Sequence, residues 1–255
     1  MKDDLLILNA LGRRDLPRIL PVMLIIDAAA AFLLIRNGGL WVSFGSSGSG
    51  GTEVLQGMDA PRILFTLFIA ELLYACMILR GSSSGKSRYR YTVGMLRISE
   101  RRAFMLCGLF NILVYLLIWA LLCCVVIIIG RPLQAAGAFG ASPQGLYAGY
   151  LLDSWTQYFV PMDNAAVTVS MILLMIGLGL LSAYEFAGTM NGKTFPFVGI
   201  VMPIMIWNGL SFRAVDTQVP WVASSAIIFL VAAGMFWYRF SGLSRGTNVE
   251  VDDAE

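Results

Sequence analysis

The chain has 255 residues, of which 58% are hydrophobic and only 13% charged, whereas globular domains carry about 25% charged residues. The apolar residues fall into blocks long enough to cross a bilayer, which excludes a cytosolic enzyme, a secreted disulfide scaffold and a disordered chain. The formal net charge of +2 does not favour nucleic-acid binding. Because the sequence contains no histidine, histidine bases, histidine metal ligands and Ser-His-Asp triads are also excluded.

Residues 1–18 predict a cytoplasmic amphipathic helix that lies on the inner leaflet of a membrane. Charged residues surround a partial apolar face, which is the pattern of interfacial helices. We expect Pro17 to end this helix before the first membrane span, because a proline removes a helical hydrogen bond and clashes with the preceding turn. The predicted apolar face consists of Leu5, Leu6, Leu8 and Leu11.

Six apolar blocks follow, and they predict an all-α fold with six transmembrane helices, since a spanning helix needs about 20 mostly apolar residues. With the N-terminus placed inside, 14 of the 18 lysine and arginine residues fall on the inner side. Because positive charge accumulates on the cytoplasmic side, both termini are predicted to be cytoplasmic. The blocks cover residues 19–35, 63–79, 103–129, 167–186, 195–212 and 221–238.

The blocks and their connections define the domain organisation. A six-helix transmembrane domain is predicted over residues 19–240, followed by an acidic cytoplasmic tail over 241–255. The long outer segment, residues 130–166, has apolar and aromatic residues at three- and four-residue spacing. This spacing fits a short helix at the outer membrane interface, and it fits equally well a cap packed on the bundle.

The connection over residues 80–102 is the most informative one. It contains seven of the 18 basic residues, begins as a Gly/Ser linker, and then mixes aromatic residues, apolar residues and arginines. Composition alone favours a basic loop that fixes topology and contacts lipid phosphates over a helix that docks onto a protein. Residues 81–87 miss the phosphate-loop spacing by one residue and do not follow a strand, so nucleotide binding is not predicted.

The order of these parts resembles the permease subunits of ABC-2 type transporters. In that family, a stretch before the third span forms a coupling helix that sits in a groove of a separate ATPase subunit. Residues 91–102 are similar to this stretch, although Arg97 replaces the usual proline and the longest outer segment follows a different span. The resemblance assigns ATPase coupling to Tyr91, Val93, Met95, Leu96, Arg97, Ile98, Ser99, Glu100, Arg101 and Arg102.

This resemblance implies an integral membrane protein of a bacterial plasma membrane that belongs to an ATP-binding-cassette exporter. Its partners would be the ATPase subunit, a second identical or related permease chain, and membrane lipid, but no nucleic acid. ATP and magnesium would bind the ATPase subunit, so that this chain would bind no cofactor and have no catalytic site. The small outer loops fit a hydrophobic or amphipathic peptide or antimicrobial as cargo, and small molecules or ions are alternatives.

Polar residues within the predicted spans are candidates for a translocation path or an interface. Asp27 and Glu71 lie midway along the first two blocks, with no lysine or arginine at the same depth. Interhelical hydrogen bonding accounts well for Asn111 and Asn208, and Glu185 is expected at an inner end that water reaches. The competing interpretation is an ion-coupled carrier that uses the intramembrane carboxylates, although no internal repeat is visible. No nucleophile motif supports a membrane enzyme.

Overall fold

The computed structural model describes residues 2–45, 60–79, 99–135, 165–190 and 219–245. These residues form five α-helices and no strand, which confirms the predicted all-α fold for this part of the chain. The long outer segment and the acidic tail fall mostly outside the described residues. The helices are α1 (Lys2–Gly45), α2 (Ala60–Leu79), α3 (Glu100–Ala135), α4 (Ala165–Met190) and α5 (Val219–Arg245).

Three of the helices are long and apolar enough to cross a membrane. The qualifying stretches are Glu100–Cys124 of α3, Ala165–Gly188 of α4 and Val222–Leu243 of α5, and they coincide with the predicted third, fourth and sixth blocks. α2 contains a shorter apolar stretch, Leu67–Leu79. The predicted fifth block, residues 195–212, lies outside the described residues. Six spans and cytoplasmic termini therefore stay predictions.

α1 does not end where the sequence predicts. The helix continues through Pro17 and Pro21, so the prediction that Pro17 ends an N-terminal helix is wrong. Both prolines lie on the exposed side of α1, and neighbouring groups can satisfy the carbonyls that prolines free in membrane helices. Beside them, the Tyr74 hydroxyl of α2 donates a 3.2 Å hydrogen bond to the Arg18 carbonyl. Packing on both sides of the prolines therefore outweighs the local penalty.

The predicted leucine face of α1 is divided between exposed and buried positions. Leu5 and Leu6 are exposed, whereas Leu11 is buried, and contact of this face with a membrane stays a prediction. Near the N-terminus, Gly12 faces the ring of Phe110 on α3, which places this part of α1 against the bundle. Buried residues recur at nearly every fourth position of α1, namely Ile7, Leu11, Asp15, Ile19, Met23, Asp27 and Ala30.

α3 is the central helix of the described bundle, and it packs against each of the other four helices. α3 and α4 approach each other closely at Gly179, where an added Cβ would lie 2.6–2.7 Å from atoms of Ile112. α3 meets α5 through stacked rings of Phe104 and Phe236, whose centroids are 4.4 Å apart. The outer face of α5 carries exposed apolar side chains, namely Ile227, Leu230, Val231, Trp237 and Tyr238.

Candidate functional site

Polar side chains are buried along the inner faces of α1 to α4, and together they form the candidate site. Their helices are otherwise apolar where they are long enough to span a bilayer. Polar residues that face the interior of such a bundle are costly, and they mark cargo or ion paths in membrane proteins. This polar seam consists of Asp15 and Asp27 of α1, Glu71 and Cys76 of α2, Asn111 and Tyr115 of α3, and Ser182 and Glu185 of α4.

The centre of the polar seam ties three helices together. The hydroxyl groups of Tyr115 and Ser182, both fully buried, form a 2.9 Å hydrogen bond between α3 and α4. The Cys76 thiol of α2 is within hydrogen-bonding reach of the same tyrosine hydroxyl, and Glu185 interacts with it electrostatically. Hydrogen bonds between helices in a membrane contribute about 1 kcal/mol each, so this centre contributes to the specific packing of α2, α3 and α4.

At one end of the polar seam, the negative charge of Asp15 is paired with the positive charge of Arg14. Both carboxyl oxygens of Asp15 accept 2.7 Å hydrogen bonds from the guanidinium of Arg14. The same guanidinium lies over the ring of Phe186 on α4, 5.5 Å from its centroid. Two parallel charge-assisted bonds are the strongest arrangement for such a pair, and they allow Asp15 to be only 2% exposed. Asp15 therefore serves as an anchor of α1 on the bundle.

The other end of the polar seam contains carboxyl groups without partners. Asp27 is 6% exposed and Glu71 2% exposed, and the two side chains interact electrostatically. Neither oxygen of Glu71 has a hydrogen-bond partner, nor does Oδ1 of Asp27 or Nδ2 of Asn111. Within the described ranges, no cation forms an ion pair with either carboxyl. Buried polar groups without partners are rare in native structures, and each one calls for an explanation.

The structure brings three of the four in-span candidates into the polar seam. Asp27, Glu71 and Asn111 are buried within the bundle of a single chain, whereas Asn208 lies outside the described residues. The expectation that water reaches Glu185 is wrong for this conformation, because its side chain is 3% exposed. Glu185 interacts electrostatically with Tyr115.

Sequence reasoning missed Tyr115, Ser182 and Asp15 as members of the site. The charge pattern of residues 1–18 puts Asp15 on the polar side of a surface helix, although it lies four residues from both Leu11 and Ile19 and shares their row. Tyrosine and serine are too common in apolar helices to stand out by residue type. The available signal for Tyr115 was its four-residue distance from Asn111, which places both residues on the same face of α3.

Most of the predicted coupling segment lies outside the described residues, namely Tyr91, Val93, Met95, Leu96, Arg97 and Ile98. Its end is described, and Ser99 is the N-cap of α3. The Ser99 side-chain oxygen accepts a 3.3 Å hydrogen bond from the Arg102 backbone N–H, and the Ser99 carbonyl accepts one of 3.1 Å from Ala103. Such a cap satisfies helix donors that would otherwise lack partners. Glu100 occupies the first turn, where the helix dipole favours a negative charge.

Arg101 connects the start of α3 to the end of α5. Its guanidinium carbon lies 4.0 Å from the centroid of the Phe240 ring, within the range of cation–π attraction. Arg101 and Arg102 are both exposed at the same helix end. The start of α3 is therefore a joint that combines a capped helix, two exposed arginines and a contact to a second helix.

In the described residues, no group of three or more cysteine, aspartate or glutamate side chains could hold a metal ion. The described residues form an all-helical bundle in which three helices are long and apolar enough to span a membrane. This fold is compatible with the class of membrane proteins. Comparison with protein-family models, with curated proteins and with solved structures finds no match. The polar seam and the joint at the start of α3 are the features of the chain that indicate a function.

Proposed function

We propose that the chain is the membrane-spanning permease subunit of an ATP-binding-cassette exporter, which moves its cargo by alternating access. The proposal includes six transmembrane helices, cytoplasmic termini, a bacterial plasma membrane and two permease chains in each transporter. The observation that carries it is the polar seam, because polar side chains that face the interior of an apolar helical bundle are typical of a translocation path. Asn208 of the predicted fifth span is proposed as a further member.

The joint at the start of α3 supports the proposal that a separate ATPase subunit moves the membrane helices. The predicted coupling segment leads directly into the Ser99 cap, so a displacement of that segment moves α3. The contact between Arg101 and Phe240 passes the same displacement to α5. Because α3 also carries Asn111 and Tyr115, motion at the membrane surface reaches the polar seam through one helix.

ATP and magnesium are bound by the separate ATPase subunit in this proposal, and the chain itself contributes binding and movement. The cargo is proposed to be hydrophobic or amphipathic, such as a peptide or an antimicrobial. Membrane lipid is proposed to cover the exposed apolar face of α5, which includes Ile227, Leu230 and Trp237. Exposed apolar side chains that lie together on one helix face are stable in contact with the hydrocarbon chains of lipids.

A second candidate function is an ion-coupled carrier, and the unpartnered oxygens of Glu71 favour it. An intramembrane carboxyl without a cationic partner is the group that such a carrier uses to bind its ion. The two functions differ in their source of energy. The permease requires an ATPase subunit, whereas the carrier works without one.

Purification in a mild detergent distinguishes the two candidates. We expect a stoichiometric ATPase subunit to co-purify with the wild-type chain. Replacing residues 95–98 by a Gly/Ser stretch should remove the ATPase, while Ser99 and the cap of α3 are retained. A matched control replaces residues 82–85, already a Gly/Ser linker, by a different Gly/Ser order. Recovery of the wild-type chain without an ATPase in several mild detergents would reject the permease and favour the carrier.

A further inference from the structure

We infer that Asp27 and Glu71 form a proton-binding site, and that its occupancy selects between two arrangements of the bundle. The site is the end of the polar seam opposite Asp15, between α1 and α2. The link to transport rests on the proposed function, whereas the proton site itself rests on the geometry of the two side chains. The two parts can therefore be tested separately.

The environment of Glu71 requires a neutral carboxyl group in the described conformation. The side chain is almost entirely buried, and neither of its oxygens accepts a hydrogen bond. Its neighbours along the inner face of α2 are apolar, as Phe68 and Leu72 are both core residues. An ionised carboxylate in such surroundings loses its hydration without compensation, at a cost of several kcal/mol. A protonated carboxyl avoids most of that cost.

Among the described side chains, no cation pairs with Asp27 or Glu71 to compensate a second negative charge. Asp27 interacts with Glu71 as a like charge when both are ionised. On α1, Arg18 is exposed and lies about 14 Å along the helix from Asp27. Arg14 is held by Asp15 and lies about 20 Å from Asp27. The other buried titratable groups on the helices that pack against α2 are Cys107, Tyr115 and Glu185, with Cys76 on α2 itself. None of them supplies a positive charge.

A proton fits this site better than a metal ion does. Calcium and magnesium require about six or more oxygen ligands or ordered waters. The described part of the chain contains no group of three acidic or sulfur side chains that could hold a metal. A proton requires one carboxyl oxygen and no cavity. The close packing around Asp27 and Glu71 is therefore compatible with a proton as the occupant.

The proton must leave when water enters between α1 and α2. In an arrangement that admits water, the O–H bond of the Glu71 carboxyl breaks, the proton passes to water, and the carboxylate is hydrated. Return to the closed arrangement requires that the carboxylate takes a proton from water again. Acidic conditions therefore favour the closed arrangement and alkaline conditions the hydrated one.

Infrared spectroscopy of the purified chain in lipid tests the site directly. We expect the carbonyl band of a protonated carboxylic acid at neutral pH, and we expect it to be lost in Glu71→Gln or in Asp27→Asn. Glutamine has the shape of the neutral acid, so the fold is retained. The matched control is Glu100→Gln, because Glu100 is exposed and its hydrated carboxylate does not contribute to this band.

Two spectroscopic results would overturn the inference. One is the absence of a protonated-carboxyl band from the wild-type chain at neutral pH. The other is a band that is unchanged in both Glu71→Gln and Asp27→Asn. If one variant fails to fold, the other variant assigns the band, and absence of the band from the wild-type chain still overturns the inference. In addition, the wild-type band should disappear as the pH is raised.

The link to transport is tested on the complex with its ATPase. We expect the rate of ATP hydrolysis to change with pH in the wild-type complex and to lose that dependence in Glu71→Gln. An equal pH dependence in both complexes rejects the link. If no ATPase co-purifies, the proposed permease function fails, while the infrared result still decides on the proton site.

Discussion

Replacing Gly179 by alanine perturbs a close approach between α3 and α4. A Cβ at this position would lie 2.6 Å from Cγ1 of Ile112 and 2.7 Å from its Cα and backbone nitrogen. A rotamer change could relieve the first contact, but the other two involve backbone atoms. The helices must therefore separate by roughly 0.7 Å to restore an ordinary contact. This separation also stretches the hydrogen bond between Tyr115 and Ser182, one turn away on each helix.

Two opposing effects determine the magnitude. Overpacking a well-packed core costs about 1–3 kcal/mol, whereas alanine in place of a helical glycine contributes about 0.5–1 kcal/mol in its favour. Because backbone atoms cannot move aside, we expect the cost to dominate and Gly179→Ala to lower the free energy of unfolding by about 1–2 kcal/mol. For a chain of this length, that corresponds to roughly 2–8 °C in the unfolding temperature.

The assay is thermal unfolding in detergent, monitored by the reaction of a fluorogenic thiol reagent with Cys76 and Cys107. Both side chains are buried in the folded chain and neither forms a disulfide. Gly234→Ala is the matched control, because no atom lies within 4 Å of the added Cβ. This control should be stabilised or unchanged. Gly177→Ala should fall between the two, since its Cβ would meet Phe229 Cα at 3.2 Å. Equal unfolding temperatures for Gly179→Ala and Gly234→Ala would refute the reasoning.

Two further predictions use the same assay. Tyr115→Phe removes the hydrogen bond to Ser182 and should destabilise the chain by about 1 kcal/mol; a double-mutant cycle with Ser182→Ala should show coupling of similar size, and strictly additive effects would contradict the contact. Ser99→Ala removes the N-cap of α3 and should also cost about 1 kcal/mol, whereas Ser99→Asp should retain stability because aspartate caps equally well. Equal losses for both variants would show that the serine is needed for another reason.

The helices themselves were predictable from the sequence. Long apolar blocks can satisfy their backbone groups only within helices when they cross a membrane, and the blocks at 103–129, 167–186 and 221–238 lie within α3, α4 and α5. The structure extends each helix beyond its apolar block, because polar first and last turns are as helical as the middle. For example, the Ser99 cap sets the start of α3, and the beginning of the apolar block does not indicate this position.

The path of α1 was not predictable in the same way. Pro17 is a strong local signal, and local signals decide when nothing else contributes. In this chain, Leu11 and Ile19 are buried on either side of the proline, and their packing against other helices holds α1 together. The sequence does not show which residues of α3 and α2 lie opposite these positions. The packing of α1 against other helices therefore outweighs the tendency of Pro17 to end the helix.

Membership in the polar seam was predictable in part. Asp27 and Glu71 stood out because ionisable residues are rare in apolar blocks. Asp15 did not stand out, because a charged residue among charged neighbours near a terminus is typical of a surface. Its burial depends on the bidentate contact with Arg14, and two adjacent residues on a helix do not predict such a contact.

The spacing of buried residues along α1 has a geometric consequence. Ile7 and Asp27 are 20 residues apart, which is about 30 Å of helix and a net turn of about 200°. Their side chains therefore leave nearly opposite sides of the helix, yet both are buried. The buried row therefore winds around α1. It faces α3 in the first turns of the helix and α2 in the later turns. A rotation of α1 about its own axis that exposes Ile7 also moves Asp27 away from Glu71. The packing at both ends of α1 therefore changes together.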